Sequence, residues 1–148
     1  SWWRGLRSCC LHVNSITGGN RVSQGCDMSY AEALDVYLAA ARRNREQGHR
    51  ELLMREERAW EAARSAAVLL KERFGATKVV IFGSLVHKGS FTRWSDVDIA
   101  AWGISPEDTF RAIGAVMEAA TDIEVNLVDV GTCRPSLLTV IEEQGIEL

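Results

Sequence analysis

From Ser29 to Phe74 apolar residues recur at the three-to-four spacing of a helix. From Lys78 onward they gather into short runs separated by Gly, Pro and Ser. Ser29-x-x-Glu32 carries the reciprocal pattern of a capping box and opens the first helical stretch. Tyr30, Ala33, Leu34, Tyr37, Leu38 and Ala41 then form one stripe. The stretch 42–50 is polar all round and contains Gly48; a second stripe follows at Leu52, Leu53, Ala59, Trp60, Ala63, Ala67, Leu70 and Phe74. The pattern predicts two helices, about 29–47 and 50–74, or one long helix kinked near Gly48. Gly75 is placed to end it in a left-handed cap. The length of the stripes predicts a surface for a protein partner or a second copy of the chain.

Beyond Gly75 the period shortens. Residues 78–82 read as a buried strand and 85–88 as the start of a short helix, with 89–95 as a return loop. A second strand is expected over 97–102. Ser105-Pro106-Glu107-Asp108 has the composition of a helix start, with Ser as N-cap and Pro in the first turn. That helix is expected to reach about 120 and to bury Phe110, Ile113, Val116 and Met117. A third strand follows over 123–130, and a last helix over 135–144 stopped by Gly145. The fold class is α/β or α+β: a small mixed sheet with flanking helices, preceded by helices. Three segments are expected: 1–27 as a disordered or non-native extension, with Met28 as the natural start; 28–75 as a helical segment; and 76–148 as the core.

The chemistry lies where the first two strands meet. An apolar run, Val79 to Phe82, ends in Gly83-Ser84, and eleven residues beyond Ser84 comes Ser95-Asp96-Val97-Asp98-Ile99-Ala100. Residues two apart on a strand project from one face, roughly 6.5–7 Å apart along the chain. Two carboxylates so placed suit Mg²⁺, which takes hard oxygen ligands and completes its shell with substrate phosphates. Gly-Ser at a strand end lets backbone N–H groups approach a phosphate closely, and a following helix would add its positive end. An acid between Val97 and Ile99 on a buried strand needs a partner or a metal, because burying an unpaired carboxylate is costly.

Gly83-Ser84 with Asp96-Val97-Asp98 resembles the signature of the polymerase-β-like nucleotidyltransferase superfamily, and above all its minimal nucleotidyltransferases, often encoded beside a helical HEPN partner. The resemblance covers about 79–130. It implies that Gly83 and Ser84 bind the triphosphate and that Asp96 and Asp98 hold metal. The family supplies a third carboxylate from a later strand. Here the matching stretch is Val125-Asn126-Leu127-Val128-Asp129, with Asn126 at the acid's position. An amide can offer a carbonyl oxygen but neither charge nor basicity. Glu124, two residues earlier, is a candidate replacement, and Asp129 is expected to face the other way. The loop after Ser84 is one residue longer than the usual pattern, with His87-Lys88 where the family often has Ala-Arg.

Composition narrows the rest. The formal net charge is -3 and the pI is about 5.6, which argues against strong non-specific nucleic-acid binding. No apolar run is long enough to span a membrane. Trp2-Trp3-Arg4 is followed by no signal-peptide core, so the chain is expected to be cytoplasmic. Cys9, Cys10, Cys26 and Cys133 lack Cys-x-x-Cys spacing and the histidines are scattered, so reduced thiols are expected rather than zinc. Arg42, Arg43, Arg45 and Arg50, interleaved with Glu46 and Glu51, read as a solvated, ion-paired face. Trp94 and Trp102 are expected to pack, with base stacking as the alternative.

The resemblance implies a metal-dependent nucleotidyltransferase using Mg²⁺ and ATP or another nucleoside triphosphate. The acceptor would be a hydroxyl, on a HEPN-like helical partner in a toxin–antitoxin pair. Asp96, Asp98 and Asn126 would form the catalytic centre. The alternative is a catalytically weak nucleotidyltransferase fold that acts by contact with a partner. A small-molecule-modifying enzyme is a third reading, without a visible second substrate domain.

Overall fold

The computed structural model describes residues 29–120 and 122–148; the expectation for 1–27 lies outside the described residues. The chain divides into two compact units, Ser1–Leu38 and Ala39–Leu148. In the described part of the first, the capping box forms as its residues dictate. The Ser29 N–H donates to Glu32 Oε2 at 2.8 Å and the Glu32 N–H to Ser29 Oγ at 3.3 Å. The stripe behind it is not buried: Tyr30, Leu34, Tyr37 and Leu38 are all exposed.

Helix α1 (Tyr30–Phe74) runs through Gly48 without a break, so the single-helix alternative holds. It ends at Gly75, where φ is +69°. Only glycine adopts that value without a Cβ penalty. The arginines at 42, 43, 45 and 50 are exposed, as expected. The expected ion pairs are absent: among the described residues the one ion pair is Arg111–Asp108.

In the second unit, β1 (Lys78–Phe82), β2 (Val97–Trp102), β3 (Val125–Asp129) and β4 (Ile146–Glu147) form one mixed sheet in the order β3-β2-β1-β4. β1 is antiparallel to β2 and β4, whereas β2 and β3 are parallel, joined across α2 (Thr109–Ala119). The period of two sorts the strands onto two faces. Val79, Ile81, Val97, Ile99, Ala101 and Val125 pack with Ala59, Ala63, Ala66, Ala67 and Leu70 of α1 and Ala112 and Val116 of α2. Four alanines on α1 let the helix sit close to the sheet. On the other face Val80, Phe82 and Ala100 pack with Ile141 of α3 (Pro135–Gln144). The expected mixed sheet with flanking helices is therefore the architecture observed.

Three local expectations are corrected. No helix starts at 85–88; Gly83–Leu85 is a single 3₁₀ turn. α2 begins one turn later than its Ser-Pro signal, because Ser105 and Asp108 close a turn instead. The Asp108 N–H donates to Ser105 O at 2.9 Å and Ser105 Oγ to Asp108 Oδ2 at 3.1 Å. Val116 is buried as expected, together with Ala112, while Phe110 (84% exposed) and Met117 face solvent: the buried stripe of this helix is the i, i+4 pair 112/116. β4 was not foreseen; two residues carry no readable period. The third strand is also shorter at both ends than expected.

Candidate functional site

The register assembles the site. Phe82 pairs with Asp98, and Asp98 with Asn126. Gly83, one residue beyond the pair, therefore lies beside the Asp98 carboxylate. Its φ is +80°, and a Cβ added there would fall 2.8 Å from Asp98 Oδ2. The position needs glycine twice, for its backbone angle and for the approach. Ser84 follows in the 3₁₀ turn, partly buried. The helix expected after Ser84 is this single 3₁₀ turn, which offers its own N–H groups and the Ser84 hydroxyl as donors.

Asn126 Nδ2 donates to Asp98 Oδ1 at 3.4 Å, a long and weak bond. Burial pushes the Asp98 carboxyl above its ordinary value; the Asn126 hydrogen bond lowers it again, and the charge of Asp96 raises it. Asp96 is itself partly buried, just before β2. Gly83, Asp96, Asp98 and Asn126 thus meet at one end of the sheet, two of them carboxylates that repel each other. No lysine or arginine hydrogen-bonds to either among the described residues.

Glu124 does not complete a third carboxylate. Its side chain is exposed, while its backbone carbonyl accepts from the Val97 N–H at 2.9 Å. Among the described residues no cluster of three or more His, Cys, Asp or Glu side chains could hold a metal ion. Asp129 sits on the other face, as expected. Its carboxylate accepts from Thr109 Oγ1 at 2.7 Å and from the Gly131 N–H at 2.9 Å. His87 is tied to Gln144 of α3 by a 3.0 Å contact between Nε2 and Oε1, and Lys88 is exposed.

Arg55 was missed by sequence reading. Its Nη2 donates to the carbonyl of Ser95, at 3.1 Å, from forty residues away. It thereby braces the loop that delivers Asp96. Set among Glu56, Glu57 and Arg58, it carries nothing in the sequence that singles it out. Trp94 is corrected: it is 83% exposed rather than packed. Trp102 does pack, on the α3 side, with the Lys78 ammonium 4.9 Å from its ring centroid.

No family model and no curated protein sequence matches the chain. Among solved structures the chain is similar to a toxin–antitoxin complex, MntA–HepT, at 20% identity and a TM-score of 0.45, over 60% of this chain and 69% of that one. A mutant of that complex gives 20% and 0.47, over 57% and 70%. An MNT antitoxin in complex with a tri-AMPylated HEPN toxin from Shewanella oneidensis gives 18% and 0.38, over 65% and 70%. Likeness at this level bears on neither activity nor partner. No helix among the described residues is long and apolar enough to cross a membrane.

Proposed function

We propose that this chain binds Mg²⁺ and a nucleoside triphosphate, ATP in the first instance, and transfers the nucleotidyl group to an acceptor hydroxyl. One observation carries the reading: the Asp98 carboxylate, half-buried and repelled by Asp96, lies against the glycine of a Gly-Ser turn, and among the described residues no lysine or arginine bonds to it. Two such carboxylates fit a hard divalent cation, and an orphan anionic pair without one is costly. Bound there, Mg²⁺ would neutralise the charge of the phosphates and of the leaving pyrophosphate.

The chain's own residues supply the rest. Asp96 and Asp98 hold the cation. The N–H groups of the Gly83–Leu85 turn and the Ser84 hydroxyl bind phosphate oxygens, which the bare glycine lets come close. Arg55 fixes the loop that carries Asp96. In the transfer the acceptor oxygen bonds to the α-phosphorus, the bond to the bridging oxygen breaks, pyrophosphate leaves, and the hydroxyl proton passes to water. Catalysis of this kind is mostly positioning and electrostatics. The motif's resemblance to minimal nucleotidyltransferases supports a helical protein of the HEPN type as the acceptor.

Asn126 favours a second reading. With an amide in place of the third acid the centre lacks both a charge and a base, and a protein that acts on its partner by contact, with slow turnover or none, needs neither. The two separate in one experiment. The chain is incubated with α-labelled ATP, Mg²⁺ and a HEPN-type protein. Covalent label on that protein, lost in Asp98→Ala, supports transfer. Complex formation without label at any metal concentration supports the contact reading and refutes transfer.

A further inference from the structure

A second cleft lies on the α1 side of the loop 89–95, on the other face of the sheet from Asp98. Its volume is about 750 Å³, within the range of small-ligand sites. Three arginines line it: Arg55 and Arg58, one turn apart on α1, and Arg93 on the loop. Glu51 is the one acid among the lining residues, and its carboxylate already accepts from Gln47 Nε2 at 2.9 Å. The remaining imbalance favours an anion.

Two features separate this cleft from an ordinary charged surface. The Arg55 Nε is buried and, among the described residues, has no hydrogen-bond partner, so this arginine is fixed in the protein rather than solvated like a surface one. Its Nη2 donates to Ser95 O, which holds the side chain in the wall of the cleft. The second feature is Trp94, which lines the cleft while remaining 83% exposed. It is held there by a tight turn. The Thr92 N–H donates to Ser95 Oγ at 3.0 Å, the Ser95 N–H to Thr92 O at 3.2 Å, and the Trp94 N–H to Thr92 Oγ1 at 3.2 Å. Among the described residues little covers the indole, which leaves its face open to a flat ring.

We propose that this cleft binds a nucleoside monophosphate unit, its phosphate held by Arg55, Arg58 and Arg93 and its base stacked on Trp94. Guanidinium forks match phosphate oxygens in pairs, and base stacking on aromatic side chains tolerates any base. The cleft is separate from the proposed metal site, which lies on the opposite face and has no arginine bonded to its carboxylates among the described residues. The shared chemistry has two sources, a free nucleotide or the phosphorylated end of an RNA strand.

The test is calorimetry on the full chain in EDTA, with AMP, a 5′-phosphorylated oligoadenylate and inorganic phosphate as probes. AMP binds the parent and Asp98→Ala alike. The double variant Arg58→Ala/Arg93→Ala, at two exposed positions, weakens AMP by about tenfold or more, as expected for lost charge-assisted bonds. Trp94→Ala weakens it by about fivefold or more. AMP as tight as the oligonucleotide identifies a free nucleotide, and an oligonucleotide well over tenfold tighter identifies an RNA end. The proposal is overturned if millimolar AMP does not bind, if the arginine variant binds it as the parent does, or if inorganic phosphate binds as tightly as AMP. Loss of AMP binding in Asp98→Ala would return the ligand to the metal site and overturn it equally.

Discussion

Replacing Gly83 with alanine separates backbone strain from damage to the site. At φ +80° an alanine pays the left-handed penalty of about 1–2 kcal/mol. Its Cβ also lands 2.8 Å from Asp98 Oδ2, nearer than such atoms approach. The obstructing atom ends a short side chain, so the carboxylate must rotate, losing the Asn126 contact and leaving its rotamer at about 0.5–1.5 kcal/mol. The total is about 1.5–3.5 kcal/mol. Gly75→Ala supplies the control: φ is +69° there, with nothing within 4 Å of the added Cβ. It carries only the strain, about 1–2 kcal/mol, and the reduced entropy of the unfolded chain acts on both variants alike. Urea unfolding of parent and both variants gives the two losses, and calorimetry of Mg²⁺-ATP binding reads the site. Gly83→Ala is expected to be the less stable by about 0.5–1.5 kcal/mol and to lose binding, while Gly75→Ala binds as the parent. Equal losses of stability together with equal nucleotide affinity would refute the argument that Gly83 exists to admit Asp98.

Three further outcomes follow from the same geometry. Asp98 lies above its ordinary value in the folded, metal-free chain and returns to it on unfolding, so its ionised form costs stability at neutral pH. The cost is withdrawn as pH falls through the folded value and is gone below the unfolded one. Asp98→Asn without metal should therefore be more stable than the parent at neutral pH, with the gap closing in acid; urea midpoints across pH check it, and a constant gap would contradict it. Asn126→Asp adds a carboxylate opposite Asp98 in the β2–β3 register; melting temperatures should fall without Mg²⁺ and respond more strongly to it, and a variant that melts like the parent under both conditions places residue 126 outside the centre. Asp129→Asn weakens the acceptor of the Thr109 and Gly131 bonds and should cost about 1–2 kcal/mol of stability with Mg²⁺-ATP affinity unchanged; loss of that affinity would show that Asp129 belongs to the site.

Elements with a strong local signal were legible in the chain. β1, β2 and α3 stand where their apolar runs and the Pro135 and Gly145 stops put them. The capping box at Ser29 and the cap at Gly75 also follow from residue type. What failed depended on competition or distance. Ser105 reads as an N-cap, but its bonds to Asp108 close a turn first, and Phe110, apolar in type, lies off the 112/116 stripe that meets the core. β4 is two residues long and exists only because β1 offers an edge, which no period records. In the site, the approach of Gly83 to Asp98 is implied by the two motifs but fixed by the strand register. The Arg55–Ser95 bond spans forty residues, and nothing in a row of exposed arginines marks the one that turns inward.

The account rests on the claim that the Gly83-Ser84 turn and the Asp96/Asp98 pair bind nucleotide through metal. The most direct measurement is titration of a non-hydrolysable ATP analogue into parent and Asp98→Ala, each with Mg²⁺ and with EDTA. The account predicts binding to the parent that needs Mg²⁺ and none to the variant in Mg²⁺ beyond what EDTA leaves. Equal, metal-dependent affinity in both proteins, or a parent indifferent to Mg²⁺, would contradict it.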